Sequence, residues 1–164
     1  MTPLQTLSSL SDNELMARTA WGEARNQGFA GMVAVCHVIL NRFHDGRFGK
    51  SLKGTMLRKW AFSCFNKTDP NLPKLAGEIK GKEIGAARCI ADMVIDKIIE
   101  DNTHGATHYF NPAVVDPFES GAWNPIYMEY CTTIKDHVFY IELRKPRYTD
   151  INKKWLNGID NSSR

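Results

Sequence analysis

The sequence lacks the motifs that most directly identify a function. It contains no phosphate-binding glycine loop, no dinucleotide fingerprint and no nucleophile elbow. No apolar run is long enough to span a bilayer, and residues 1–10 have neither the basic flank nor the apolar core of a secretory signal. These absences argue against nucleotide-dependent enzymes and elbow-type serine hydrolases. They predict a chain made in the cytoplasm without a signal peptide and without stable membrane insertion.

Closely spaced cysteine pairs, which are typical of zinc sites, are also absent. The four cysteines lie far apart, at Cys36, Cys64, Cys89 and Cys131. Cys36 and Cys89 fall within apolar helical patterns, so we expect buried free thiols, with two disulfides as the alternative.

Three histidines form a weak metal candidate. His104 and His108 have the four-residue spacing of a helical metal pair, and His137 could complete a site. Gly105 and the β-like residues around it argue against a helix there, although residues four apart also share a face of a strand. We predict no metal and no cofactor, and keep a metal-dependent peptidase or amidase as a rival hypothesis.

The composition has no extremes. Hydrophobic residues make up 43% and charged residues 24% of the 164 residues, which predicts a single globular domain over residues 1–164. The net charge of +3 suits an anionic polymer without identifying one. A basic tail over residues 144–164 could contact nucleic acid or an anionic envelope, but we interpret it as a solvated face and predict a monomer with no nucleic-acid partner. Its bases are Arg144, Lys145, Arg147, Lys153 and Lys154.

Helical patterns dominate the first two thirds of the chain. Residues 11–14 have the form of a capping box that starts a helix ending near Gly28. Residues 29–40 are apolar nearly all round, which predicts a central core helix ended by residues 41–43. A second long helix is predicted from Leu75 or Glu83 to Asp101.

Strand patterns follow the helices. Residues 106–112 and 137–143 are rich in aromatic and β-branched side chains and predict two strands of a small sheet. Helices followed by a sheet indicate an α+β fold. Between the helices, residues 47–66 carry four aromatic side chains that either pack locally or line a groove suited to sugar rings. They are Phe48, Trp60, Phe62 and Phe65.

Glu23 is the carboxylate that the helical pattern singles out. It shares a stripe with Leu15 and Thr19 and falls in the last turn of the first long helix. Unpaired carbonyls and partial burial beside Trp21 both favour the neutral acid there, which makes Glu23 a plausible proton donor. The alternative is an ordinary helix-end glutamate that pairs with Arg25 or a lysine.

Several segments, taken in order, resemble the catalytic domain of the spore cortex-lytic enzyme and cell wall hydrolase family, the SleB type. The resemblance covers about residues 13–141. The segments are Trp21 to Arg25, Gly31 to Val35, Ile39 to Arg42, Phe62-Ser63, Gly105 to Pro112 with Trp123, and Ile134 to Phe139. Two departures are Asn26-Gln27, where the family commonly has a glycine and an acid, and a longer, lysine-rich loop over residues 67–82.

The resemblance implies a lysozyme-like fold, with a mainly helical lobe and a small antiparallel sheet lining a cleft. It implies a single catalytic domain that cleaves the β-1,4 bond between N-acetylmuramic acid and N-acetylglucosamine in peptidoglycan glycan strands. The glutamate of the family's Glu-Ala-Arg motif is its catalytic acid, and this glutamate corresponds to Glu23.

The number of carboxylates separates two reactions. A muramidase needs a second carboxylate near the first, and the candidates, Asp45, Asp69, Asp116 and Glu119, stand in no comparable motif. We therefore predict a lytic transglycosylase, in which Glu23 alone acts as acid and then as base and yields a 1,6-anhydro product. A hydrolytic muramidase and a non-catalytic glycan-binding module remain the alternatives.

Four residues are predicted to bind substrate. Tyr109 and Asn111 alternate on a predicted strand, so a phenol and an amide could point together into a cleft. Phe62 and Ser63 are predicted to form another wall. The local alternatives are core packing for Tyr109, a turn before Pro112 for Asn111, and a backbone cap for Ser63.

Trp123 and His137 are interpreted as fold residues. We expect Trp123 to pack a loop and His137 to be hydrogen-bonded at the start of a strand.

A small catalytic domain without a signal or wall-binding repeats suits a phage endolysin, which reaches the bacterial cell wall through a holin or on a virion.

Overall fold

The structure is a computed structural model that describes residues 1–143; the basic tail at 144–164 lies outside the described residues. A helical lobe comes first in the chain, and a small sheet follows it. The helices are α1 (Pro3–Ser8), α2 (Asp12–Ala24), α3 (Gly28–Asp45), α4 (Leu52–Met56), α5 (Leu72–Ala76) and α6 (Lys82–Ile95), and the strands are β1 (His108–Phe110), β2 (Met128–Ile134) and β3 (His137–Glu142).

The helical lobe is built around α3. This helix packs against α2 and α6, and residues 31–39 within it are buried on all sides, as the sequence predicts, whereas Phe29 in its first turn is exposed. It continues to Asp45 and ends where Gly46 takes a left-handed conformation with φ of 78°, so the predicted end at residues 41–43 is wrong. The lobe therefore has a long central helix that reaches from Glu23's neighbourhood to the sheet.

The N-terminus of α2 is capped differently from the prediction. The Ser11 hydroxyl accepts a hydrogen bond from the Glu14 backbone N–H at 3.2 Å. The reciprocal half of the capping box is missing because the Glu14 carboxylate binds Arg18 at 2.7 Å and Arg88 at 2.8 Å. The pair with Arg88 joins α2 to α6 at the surface.

The sheet has three antiparallel strands in the order β1-β3-β2. This arrangement confirms the α+β, lysozyme-like expectation of a helical lobe with a small antiparallel sheet. The sequence analysis did not predict β2, although Tyr130, Thr132 and Thr133 give it the composition of a strand. Two elements are also shorter than predicted: β1 covers three residues, and α6 ends at Ile95 instead of Asp101.

Two polar links hold the sheet against the helical lobe. The Gln27 side chain donates to Asp136 Oδ2 at 3.0 Å and accepts from the Asp136 N–H at 3.1 Å, which ties the β2–β3 turn to the end of α2. The Asn41 amide donates to Asp101 Oδ2 at 2.9 Å and to the Ala106 carbonyl at 3.0 Å. The segment that leads into β1 is therefore fixed to α3.

Candidate active site

Glu23 lies half-buried in the last turn of α2, and three donors converge on its carboxylate. Oε1 accepts hydrogen bonds from the Ser63 hydroxyl at 3.0 Å and from the Cys64 backbone N–H at 2.8 Å. Oε2 accepts one from the Tyr109 hydroxyl at 2.8 Å. Because these donors come from two distant parts of the chain, the fold itself assembles the site.

Gly22 explains how residues 62–65 approach α2 closely enough to reach Glu23. A Cβ atom at this position would lie 2.9 Å from Cys64 Cβ and 3.2 Å from Leu75 Cδ1. Neither atom belongs to a long flexible side chain that could move aside. Gly22 therefore lets the Cys64 N–H and the Ser63 hydroxyl sit beside the Glu23 carboxylate.

Tyr109 is held by β1 and its partner strand. It lies opposite Phe139 in β3, and its ring packs against the rings of His137 at 5.1 Å and Phe139 at 5.5 Å. Burial, reinforced by the Glu23 charge, raises the pKa of Tyr109 well above its ordinary value. Tyr109 therefore stays neutral and presents a hydroxyl, not a charge, to Glu23.

Arg25 does not pair with Glu23. Its guanidinium lies 4.2 Å from the centre of the Trp21 ring, and its Nη2 donates to Asn71 Oδ1 at 3.0 Å. Among the described residues, no ion pair to Glu23 is formed within 4.0 Å. The alternative of an ion-paired helix-end glutamate is therefore wrong for Arg25 and for the described lysines.

Arg42 is a buried cation behind the site that sequence reasoning did not single out. Its Nε donates to the Thr107 carbonyl and its Nη1 to the Ala61 carbonyl, while its guanidinium lies 4.9 Å from the Phe62 ring centre. Burial lowers the pKa of Arg42, and the negative charge of Glu23 raises it, but a guanidinium remains charged in either case. The signal available in the sequence was an arginine in a helix that is otherwise almost entirely apolar.

The predicted substrate-binding residues fall in different environments. Tyr109 and Ser63 contact the Glu23 carboxylate, whereas Phe62 is only 3% exposed and packs under Arg42. Asn111 lies beyond the end of β1, and its Oδ1 accepts from the Ala113 N–H at 2.9 Å, as its local turn alternative expected. Roles in substrate binding for these residues remain predictions.

Of the three histidines in the metal hypothesis, His104 is exposed, and His108 and His137 pack in different surroundings. The His108 ring packs against Phe48 and Trp123, and burial with the charge of Arg42 lowers the pKa of His108 to about 3. His137 packs on Tyr109, and its buried Nδ1 has no hydrogen-bond partner, so the expected hydrogen bond is wrong for that atom. Residues 1–143 contain no group of three or more His, Cys, Asp or Glu side chains placed to hold a metal ion.

The candidate second carboxylates make contacts away from Glu23. Asp45 pairs with Arg47 at 2.6 Å, Asp69 accepts from the Asn71 N–H, and Asp116 accepts from the N–H groups of residues 118 and 119. Glu119 is exposed. Their main observed roles are to stabilise local turns.

Two cavities lie near residues of the site, one lined by the donor Tyr109 and the other by Phe62, the neighbour of Ser63. One, of about 430 Å³, is lined by Tyr109, Arg42 and Trp123 among others. The other, of about 560 Å³, lies on the side of Phe62 and Phe65. Trp123 also packs against Phe118, which confirms the expectation that it holds a loop. Glu142, which sequence reasoning missed, lines the first cavity and pairs with Arg47 at 3.5 Å.

The four cysteines are all free thiols. Cys36 and Cys64 are buried, as expected, but Cys89 is exposed on α6, where the apolar pattern predicted burial. Burial raises the pKa of the Cys64 thiol, and the charge of Glu23 adds to this effect. Cys64 therefore acts through its backbone N–H, and its thiol fills space against Gly22.

In the described part of the chain, no helix is long and apolar enough to cross a membrane.

Comparisons with solved structures identify the same architecture. The catalytic domain of the germination-specific lytic transglycosylase SleB from Bacillus anthracis matches with a TM-score of 0.60 and 25% identity, over 80% of this chain and 97% of that domain. The catalytic domain of SleB from Bacillus cereus matches with a TM-score of 0.61 and 25% identity, over 79% of this chain and 88% of that domain.

Sequence relatives agree with the structures. The spore cortex-lytic enzyme of Halalkalibacterium halodurans is 33% identical over 102 residues, which cover 62% of this chain and 28% of that protein. The enzyme of the same name from Bacillus subtilis is 32% identical over 105 residues, covering 63% and 30%. The chain thus spans about a third of the length of the curated relatives it matches.

A family model described as Cell Wall Hydrolase matches residues 26–140, which is more than half of the chain. The match begins just after Glu23 and so does not include it, and the role of Glu23 stays a prediction. The resemblance inferred from the ordered segments is confirmed at the level of the family. This chain belongs to the cell wall hydrolase family.

Proposed function

We propose that the protein cleaves the β-1,4 bond between N-acetylmuramic acid and N-acetylglucosamine in peptidoglycan as a lytic transglycosylase, with Glu23 as acid and then base. One observation carries the proposal: the Glu23 carboxylate is held by three neutral donors and by no cation among the described residues. Hydroxyl groups can donate to a carboxylate and can also turn to accept from a carboxylic acid. The site can therefore hold Glu23 in both protonation states.

In the first half of the reaction, the protonated Glu23 carboxyl gives its proton to the glycosidic oxygen. The bond from that oxygen to C1 of the muramic residue breaks, and an oxocarbenium-like state develops. The Glu23 carboxylate left behind accepts from Tyr109, Ser63 and the Cys64 N–H. These preorganised donors, with the fixed charge of Arg42 nearby, stabilise the anion as it forms.

In the second half, the C6 hydroxyl oxygen of the same sugar bonds to C1. The Glu23 carboxylate takes the hydroxyl proton, so the acid is regenerated and no water is consumed. The products are a 1,6-anhydromuramic end and a glucosamine end with a free C4 hydroxyl. Three of the carboxylates weighed as second catalytic groups, Asp45, Asp69 and Asp116, are engaged in turns or an ion pair, which supports this route over hydrolysis.

The biological setting is a separate proposal. The relatives carry the name spore cortex-lytic enzyme, which favours a spore or bacterial wall over the phage endolysin expected from the sequence. Neighbouring genes discriminate between these settings. A holin or tail genes beside this gene would support a phage lysin, and germination genes would support the cortex.

Product analysis tests the reaction. Purified sacculi digested with the protein should release muropeptides that end in 1,6-anhydromuramic acid, as measured by mass spectrometry, and Glu23→Gln should release them about a thousandfold more slowly. Products that end in reducing muramic acid would identify a muramidase, for which Glu142 is the first carboxylate to replace because it lines the cavity beside Tyr109. Binding to sacculi without any soluble product would support the glycan-binding module instead.

A further inference from the structure

The four aromatic side chains of residues 47–66 are not equivalent in the structure. Phe62 and Phe65 are 3% and 8% exposed, and Phe48 packs against the His108 ring. The Trp60 side chain, in contrast, is 74% exposed. Three of the four therefore pack locally, and Trp60 alone among them presents a large apolar surface to solvent.

The backbone at Trp60 is held in an unfavourable conformation. Its φ angle is 66°, in the left-handed region where a bulky residue costs about 1–2 kcal/mol. Hydrogen bonds pin both sides: the Ala61 N–H donates to the Arg58 carbonyl at 3.0 Å, and Arg42 donates to the Ala61 carbonyl at 2.8 Å. The fold thus holds Trp60 in a strained conformation although its exposed side chain contributes little packing.

Residues 58–60 form a ridge between the two cavities beside the candidate active site. Arg58, Lys59 and Trp60 line both the cavity that contains Tyr109 and the cavity that contains Phe62. We call residues 58–60 the basic ridge. A polymer that occupies both cavities must cross this ridge.

The chemistry of the basic ridge matches an acidic glycan. The face of an indole carries negative charge density, which attracts the C–H groups on the flat face of a pyranose ring. The Lys59 ammonium lies 5.3 Å from the Trp60 ring centre, and the Arg58 guanidinium donates to the Arg47 carbonyl at 3.0 Å. Two exposed cations therefore stand beside an exposed stacking surface.

We propose that the basic ridge is a binding subsite for the peptidoglycan strand, in which Trp60 stacks on a sugar ring and Arg58 and Lys59 bind carboxylates of the stem peptides. The inference rests on the proposed function in one respect, because it takes peptidoglycan as the ligand. It assigns strand binding to Trp60, which has no part in the proton transfers of Glu23.

The first test separates binding from stability. Trp60→Gly removes the ring and relieves the strain, so the half-saturating concentration of sacculi should rise about three- to tenfold while Tm stays the same or rises. Trp60→Phe keeps a stacking surface, so its half-saturating concentration should lie between those of the unmodified protein and Trp60→Gly. Phe29→Ala, at an aromatic residue that is 57% exposed and lines neither cavity, is the matched control and should not change the half-saturating concentration.

The second test separates stacking from charge. On sacculi whose free stem-peptide carboxylates have been converted to neutral amides with a carbodiimide and ammonia, Trp60→Gly should still bind more weakly than the unmodified protein. On this substrate, Arg58→Gln and Lys59→Ala should bind as well as the unmodified protein, whereas on intact sacculi both should bind more weakly. Lys80→Ala, at an exposed lysine paired with Glu78, is the control. A charge defect of equal size on both substrates would overturn the assignment to stem carboxylates.

The outcomes for the ridge and for the reaction are distinct. If the unmodified protein releases anhydro products and Trp60→Gly shows an unchanged half-saturating concentration, or a fall in Tm that accounts for its loss, the ridge proposal is wrong and the proposed function stands. If Trp60→Gly binds sacculi more weakly in a pull-down but the unmodified protein releases no product, the proposed function is wrong and the ridge stands.

Discussion

Helix α2 carries a glutamate at each end, and the two are held in opposite ways. Glu14, in the first turn, pairs with Arg18 and Arg88, and these partners hold its pKa below the ordinary value. Glu23, in the last turn, accepts hydrogen bonds from three neutral donors and, within residues 1–143, from no cation. A carboxylate locked between two arginines cannot give up a proton that it does not hold. The comparison teaches that the partners of a carboxylate, not its place on a helix, decide whether it can act as an acid.

Exchanging each glutamate for glutamine gives the largest contrast. Glu23→Gln should lower the rate of muropeptide release by about a thousandfold, because an amide has no proton to donate, and should leave Tm nearly unchanged. Glu14→Gln should keep the rate. Equal activity of Glu23→Gln and the unmodified protein, measured on the same sacculi, would remove Glu23 from the mechanism.

A substitution at Gly22 tests whether the close packing of Cys64 against α2 is what places the neutral donors beside the Glu23 carboxylate. Gly22→Ala forces a Cβ against Cys64 and should cost about 1–3 kcal/mol of unfolding free energy, with a loss of activity from displaced donors. Gly85→Ala is the matched control, since a Cβ there meets no atom within 4 Å, and it should stabilise α6 by about 0.5–1 kcal/mol. Chemical denaturation measures both. A Gly22→Ala protein as stable and active as the unmodified protein would contradict the packing argument.

Tyr109 tests a single neutral donor. Tyr109→Phe keeps the ring against His137 and Phe139 but removes the hydroxyl that donates to Glu23, so the rate should fall about ten- to a hundredfold. Tyr130→Phe removes an exposed hydroxyl near Thr133 and should leave the rate unchanged. Steady-state rates on sacculi decide the matter, and an unaffected Tyr109→Phe would show that this hydrogen bond is dispensable.

Removal of the ion pairs of Glu14 should have the smallest effect, a change in the free energy of unfolding. The hydrogen bond from Arg88 lowers the pKa of Glu14, desolvation opposes it, and Arg18 lowers it further. A lowered folded-state pKa means that the stabilisation is present above the unfolded value of about 4.5 and is lost as pH falls through the folded value. Glu14→Gln should therefore cost about 1 kcal/mol at pH 7 and progressively less as the pH falls below about 4.5, measured by urea unfolding. A cost that does not depend on pH would contradict this account.

The helical half of the fold was largely predictable because its signals are local. The apolar pattern of residues 29–40 identified the central helix, and the Ser11 cap set the start of α2. The errors lie at element ends and in the sheet. The Glu14 side chain took arginine partners from elsewhere in the chain, and β2 was missed although its composition is typical of a strand.

The sequence by itself determined that a carboxylate ends an amphipathic helix at Glu23, and the ordered motifs indicated the family. Only the tertiary structure decided that Arg25 turns towards Trp21, that Arg42 binds backbone carbonyls, and that Ser63, Cys64 and Tyr109 donate to Glu23. The same holds for Trp60, whose exposure separates it from three packed aromatics. Periodicity fixes which face of a helix is buried, whereas the identity of a hydrogen-bond partner depends on contacts between residues 40 to 86 positions apart.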